Sequence, residues 1–180
     1  MEVPDSPLSA VDFDDLALPL FDQLYNFARW MTEDTAEAED LVQETYAKAL
    51  RGFSGFQPGT NFRAWMFRIL RNSFLNSRSG LRTTVPLGED EDDMIVSSEP
   101  NAETLLIAEA DRQSVQQALQ ELPMHFREIL LLCEVEEMSY EEISQALSIP
   151  IGTVMSRLSR ARKALRILLA ARFEGVRNGV

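Results

Sequence analysis

The 180-residue chain has one cysteine and one histidine. With Cys133 alone no intrachain disulfide can form. With His125 as its only companion, neither a His-rich metal site nor a zinc ribbon can be built. Cys133 sits in EILLLCEVE, the setting of a small buried hydrophobe rather than a reactive thiol. No apolar run approaches the roughly 20 residues needed to cross a bilayer, so no membrane insertion is expected. The first residues, MEVPDSPLSAVDFDD, are acidic and lack the basic start of a secretory signal. A cytoplasmic location follows as an expectation. Strand signals are scarce, with no sustained alternation and few β-branched runs. There is no Gly-rich phosphate loop, no HExxH and no nucleophile–base pair in a supporting context. Neither an enzyme nor a cofactor is expected.

The composition is 45% hydrophobic and 26% charged, which is that of a globular domain and not of a disordered chain. The formal net charge of −12 hides a segregation. Residues 1–50 carry −10, residues 51–88 carry +6 with no acid, residues 89–150 carry −14 and residues 151–180 carry +6. Basic blocks attract phosphate, while an acidic remainder suppresses indiscriminate binding to nucleic acid. A solvated helix face is the alternative for either block taken alone.

Helical periodicity runs through most of the chain. A first helix begins near Pro19 and buries Leu20, Leu24, Phe27 and Met31, after a short turn around Phe13 and Leu16. A second opens at Asp34, with Glu37 as its capping partner, and buries Ala38, Leu41, Val42, Thr45 and Ala49. After the loop RGFSGFQPGTN a third runs from Thr60 or Asn61 to Ser79. At 100° per residue its core arc is Phe62, Trp65, Met66, Ile69, Leu70 and Ser73, and its outer arc is Arg63, Arg68, Arg71 and Arg78. No acid lies nearby in sequence to pair with those arginines. Residues 81–104 contain two prolines, a glycine and five consecutive acids, the pattern of a linker. Helices follow at about 102–122 (Leu105, Ala108, Val115, Ala118, Leu122) and 123–135 (Phe126, Ile129, Leu130, Cys133).

The last pair of helices carries the chemistry. Ser139 and Glu142 form an S-x-x-E capping box for a helix over 140–147 that buries Ile143, Ala146 and Leu147. The turn SIP follows, and Pro150 is expected to open the next helix at its first position. There Val154, Leu158, Ala161, Leu165 and Leu168 make one packed stripe, while Met155, Ser156, Ser159, Arg160, Lys163 and Arg166 face the other way. Two short helices so joined, the second basic and outward-facing, make a helix-turn-helix. Its second helix would lie in a major groove. Gly152 and Thr153 in its first turn suit a phosphate, and Arg160 suits guanine, with Ser156 and Ser159 allowing close approach. The fold class is therefore all-α: two small helical domains joined by a flexible linker, the C-terminal one containing the helix-turn-helix.

Three segments in order resemble one family. LPMHFREILLLCEVEEMSYEEISQALSIPIGTVMSRLSRARKALR resembles the −35 reading domain of extracytoplasmic-function (ECF) sigma factors, the small two-domain branch of the sigma-70 family. AEAEDLVQETYAKAL resembles that family's polymerase-binding helix, and GTNFRAWMFRILRNSFLNSRS its −10 reading and melting helix. The resemblance implies a region 2 domain over 13–82, an acidic linker over 83–104 and a region 4 domain over 105–175. It implies that Asp40, Leu41, Gln43 and Glu44 dock on the polymerase β′ subunit, within a core that includes β. Gly59, Thr60, Asn61 and Phe62 would capture a flipped base, at an extrusion cost of a few kcal/mol. Arg63, Arg68, Arg71 and Arg78 would track the backbone. Asn72 and Asn76 would face −10 bases, with helix-surface solvation as the alternative for each. The −35 face would be Gly152, Thr153, Met155, Ser156, Arg157, Ser159, Arg160 and Lys163. Family members often carry Lys or Arg at Met155 and an aromatic at Ser159, so no −35 sequence is inferred. The linker acids either imitate RNA phosphates in the polymerase cleft or form a solvated tether. With no large extra C-terminal domain in the sequence, control is expected from a separate anti-sigma factor. The alternative reading is a stand-alone helix-turn-helix regulator.

Overall fold

The computed structural model describes residues 12–79 and 112–177, all in helices and their connections, with no strand among them. The expected linker at 83–104, and with it Leu105 and Ala108, lies outside the described residues.

The first bundle starts with α1 (Phe13–Ala17) and a 3-10 turn, Leu18–Leu20, in which Pro19 supplies a preset φ. Helix α2 (Phe21–Thr32) buries Leu24, Phe27, Ala28 and Met31 and stops at Glu33, whose φ of 65° is left-handed. Asp34 then caps α3 (Thr35–Gly52): the Glu37 N–H donates to Asp34 Oδ1 at 2.8 Å. The buried face of α3 is Ala38, Leu41, Val42, Thr45 and Ala49, the stripe expected from its spacing. Tyr46 on α3 donates its hydroxyl to the Ala17 carbonyl at 2.7 Å and so holds α1 in place.

Helix α4 (Phe62–Ser79) follows a loop that turns at Gly59, where φ is 86° and glycine is favoured. Asn61 caps it, accepting from the Ala64 N–H at 2.9 Å. Met66, Leu70 and Ser73 are buried as expected, but so are Ala64, Phe67 and Phe74, and Phe67 meets Phe27 edge-on at 5.4 Å. Phe62, Trp65 and Ile69 are only half-buried. The core arc is thus rotated from the expected one. The physical reason is that α4 packs on two partners, α2–α3 on one flank and the helix Tyr140–Leu147 of the second bundle on another.

In the second bundle α5 (Arg112–Glu121) ends before Pro123, and α6 (Met124–Leu130) continues into a π-helical turn, Leu131–Val135. A single regular helix was expected over 123–135. The wider turn lets the Glu136 N–H reach back five residues to the Leu131 carbonyl at 3.0 Å. Arg127, 8% exposed, donates to the Leu119 carbonyl at 2.8 Å and to that of Gln120, serving carbonyls at the end of α5.

The capping box is formed. The Ser139 N–H donates to Glu142 Oε2 at 2.8 Å and the Glu142 N–H to Ser139 Oγ at 3.2 Å, opening α7 (Tyr140–Leu147). Ser148, left-handed at φ 56°, makes the turn, and Ser144 Oγ donates to the Ile149 carbonyl at 2.6 Å. Helix α8 (Ile151–Arg177) begins one residue later than expected, with the Val154 N–H donating to the Pro150 carbonyl. Pro150 therefore caps the helix rather than starting it. Val154, Leu158, Ala161 and Leu165 are buried, joined by Leu169, while Leu168 is half-buried.

Leu158, on α8, is 1% exposed. Leu158→Ala should cost about 2–5 kcal/mol in urea unfolding, whereas Ser139→Ala, which removes only a cap, should cost about 0.5–2 kcal/mol.

Candidate nucleic-acid interface

Three helix faces carry the polar and charged side chains singled out in the sequence. On α8, Gly152, Met155, Ser156, Ser159, Arg160 and Lys163 are exposed, and Thr153 and Arg157 are half-buried. Ser156 Oγ donates to the Thr153 carbonyl at 3.2 Å. Arg162, not in the expected set, is turned back onto Glu134 at 2.7 Å. The exposed residues recur on the side of α8 opposite Val154, Leu158, Ala161 and Leu165, so one face packs and the other is open. Ile151, 42% exposed at the N-terminal end of α8, was not among the expected residues.

On α3, Asp40, Gln43 and Glu44 are exposed. Lys48 pairs with Glu44 on the same helix and also donates to Ser73 Oγ at 3.0 Å, tying this face to α4. Leu41 is 5% exposed and belongs to the core, so in this conformation it is not part of the open face. The apolar side chain that is open is Leu50, 60% exposed, which continues the Asp40, Gln43, Ala47 spacing. The sequence signal was present: Leu50 falls off the buried Ala38–Ala49 stripe.

The α4 surface differs most from expectation. Arg63, Arg71 and Arg78 do have carboxylate partners. Arg71, with an 18% exposed side chain, donates from Nε to Glu128 Oε2 at 2.7 Å and from Nη2 to Oε1 at 3.1 Å, a bidentate pair on a carboxylate that is 1% exposed. Arg63 lies 3.9 Å from the carboxylates of both Glu136 and Glu142, donates to the Glu136 carbonyl, and donates to Gln23 Oε1 at 2.9 Å. Asn61 Nδ2 donates to Glu142 Oε1 at 3.0 Å. Arg78 pairs with Glu37 at 3.2 Å and lies over the Phe74 ring. Arg68, Asn72 and Asn76 are exposed. Arg127 donates to Glu33 at 2.8 Å, a further tie between the two bundles.

Loop residues 55–61 and the turn between α7 and α8 face each other across a cleft of about 1000 Å³. Gly59, Thr60, Asn61 and Arg68 line it, as do Ser148, Ile149 and Pro150. The aromatic rings in its wall are Phe56 and Trp65. Phe62, expected beside a captured base, instead packs edge-on against Phe53 and Phe56, the latter at 5.2 Å. No group of metal-ligating side chains and no helix long and apolar enough to cross a membrane occurs among the described residues.

Two carboxylates at this contact are electrostatically distinct. Burial pushes Glu136 up to about 7, against the opposing pull of Arg63. Burial also disfavours the charge on Glu142, but the Ser139 N–H, the Asn61 amide and Arg63 outweigh it and hold that carboxyl below its usual range.

Two domains, one with a basic helix-turn-helix and one with a capped arginine helix beside an open acidic face, describe a promoter-reading protein. Residues 19–83 match sigma-70 region 2 and residues 112–165 match sigma-70 region 4. The chain is 36% identical to the ECF RNA polymerase sigma factor SigE of Mycolicibacterium smegmatis, over 94% of this chain and 71% of that protein. It is 35% identical to the ECF RNA polymerase sigma factor EcfG of Rhodopseudomonas palustris, over 79% and 77%. It also matches the structure of the sigma factor RpoE in complex with the anti-sigma factor NepR from Bartonella quintana. That match has a TM-score of 0.69 and 33% identity, and covers 88% of this chain and 97% of that one. The chain belongs to the extracytoplasmic-function branch of the sigma-70 family.

Glu136 binds its proton more tightly in the folded chain than at its ordinary value of 4.5. Between about pH 4.5 and 7 the native state is therefore the more protonated, and stability falls as pH rises through that window. Urea titrations at pH 5 and 7.5 should show Glu136→Gln losing this component, at most about 3 kcal/mol, relative to wild type.

Proposed function

We propose that the chain serves as the promoter-specificity subunit of a bacterial RNA polymerase, each of its three faces having one task. The observation that carries this reading is the pair of helix faces on two separate domains: the open basic face of α8 and the Asn–Arg face of α4. A duplex reader working alone would need only the first.

On this reading the exposed face of α8 enters the major groove of the −35 element. Arg160 makes paired hydrogen bonds to a guanine edge. Gly152 and Thr153, with the helix dipole, hold a phosphate. Met155, Ser156, Arg157, Ser159 and Lys163 complete the contact. The loop Gly59–Thr60–Asn61 receives a base extruded from the −10 strand, with Phe56 and Trp65 as the aromatic wall against which it stacks. Arg63, Arg68, Arg71 and Arg78 follow the strand, and Asn72 and Asn76 face its bases. Asp40, Gln43 and Glu44, with Leu50 as the apolar element, dock on the β′ subunit; Leu41 supports that face from beneath. The two domains correspond to residues 13–82 and 105–175, joined by the acidic segment 83–104. No chemistry is performed on a substrate: the subunit binds, positions and melts DNA in the cytoplasm.

The similar RpoE was solved with the anti-sigma factor NepR, and the similar CnrH with the cytosolic domain of CnrY, at 25% identity and a TM-score of 0.64. A separate anti-sigma protein is accordingly the proposed regulator of this chain.

Run-off transcription with purified core polymerase on a genomic library tests the assignment. Defined start sites are expected, and their complete absence would refute it. Arg160→Ala should cost about 1–3 kcal/mol at one −35 base pair, whereas an equal loss on every sequence would mark a phosphate contact. Asp40→Ala with Gln43→Ala should weaken binding to core polymerase with unchanged far-UV circular dichroism, because both side chains are exposed.

A further inference from the structure

We propose that Met155 is a specificity-determining residue of the −35 contact: its thioether side chain, with Ile151 one turn before it, packs on the C5-methyl group of a thymine in the major groove. The proposal rests on the assignment of α8 to the −35 element.

The first support is the relief of the helix surface. Met155 is 55% exposed and Ile151 42%, and both belong to the first two turns of α8. Being four residues apart, they are neighbours on the helix, about 40° from each other at 100° per residue. The other exposed neighbours of Met155 along the helix are Gly152 and Ser159, both small. A side chain at Gly152 would meet no other atom within 4 Å of its Cβ, so packing inside the chain does not call for glycine there. Met155 thus projects from among small residues, and the backbone around it is free to come close to a base edge.

The second support is chemical. Arg160 and Lys163 are exposed on the same helix without a carboxylate partner among the described residues, and residues 151–172 contain no acid. That charge suits DNA, yet Met155 adds nothing to phosphate binding, because a thioether has no N–H or O–H to donate. Along the floor of the major groove the one apolar group is the thymine methyl; the other base edges show donors and acceptors. The two apolar side chains therefore have one matching feature in duplex DNA. Methionine has three rotatable bonds and a polarisable sulfur, so it adjusts to a methyl whose place is fixed by the rest of the contact. Arg160 lies about 140° from Met155 around the helix. The guanine reader and the thymine reader are thus on opposite flanks of the face and address different base pairs.

Covering one methyl group is worth about fourfold in affinity. The test uses the full-length chain reconstituted with core polymerase, on a promoter recovered by the run-off experiment. Each thymine of its −35 region, on either strand, is replaced singly by deoxyuridine, which removes the methyl and keeps the base pair. At one position the wild type should lose about fourfold in affinity. Met155→Gln, similar in length but polar, should abolish the difference between thymine and uracil at that position, and Met155→Leu should retain it. Arg160→Ala, on the other flank, should bind more weakly but keep the same thymine-to-uracil ratio.

A −35 region without thymine, no loss at any uracil, or an equal loss in wild type and Met155→Gln would overturn the proposal. Those outcomes arise at a working promoter and leave the assignment of function standing. If no promoter is recovered at all, the assignment itself fails and the proposal falls with it.

Discussion

Of the ion pairs that join the two domains among the described residues, the bidentate pair between Arg71 and Glu128 holds the most buried carboxylate. It joins α4 to α6, it is shielded from water on the Glu128 side, and its partners are 57 residues apart in sequence. A buried pair of this kind adds little net stability over apolar packing, because both charges lose their hydration. It is nevertheless exacting about partners, since either charge left alone there is strongly unfavourable. In this chain the charge of Arg63, Arg71 and Arg78 on α4 is matched by carboxylates.

This explains the segregated charge of the sequence. Among the described residues, the +6 block at 51–88 and the −14 block at 89–150 are in contact with each other. In the fold, arginines of the first meet glutamates of the second, and Arg127, one of the few bases of the acidic block, meets Glu33 in the acidic N-terminal block. The basic block at 151–180 is treated differently: Arg162 and Arg172 pair with Glu134 and Glu121, while Arg160 and Lys163 stay on the open face.

Much of the architecture was legible because local physics decides it. The α3 stripe, the Ser139–Glu142 box and the α8 stripe each depend on spacing within one helix that packs on one side. Helix α4 was legible only in part, because it is covered from two directions and a one-sided periodicity puts Phe67 and Phe74 in the wrong arc. The π turn at 131–135 left no sequence signal beyond a run of apolar residues. At the candidate site, residue types on α4 and α8 could be listed from the sequence, but the partners of Asn61, Arg63 and Arg71 could not. Long-range pairing is set by how two bundles meet, and no local pattern encodes it.

Glu142 divides its two oxygens between different jobs: Oε2 receives the Ser139 N–H at the start of α7, and Oε1 receives Asn61 of the other domain. The oxygen that winds the start of α7 is therefore not the one spent on the neighbouring bundle, and this helix start is closed by its own residues.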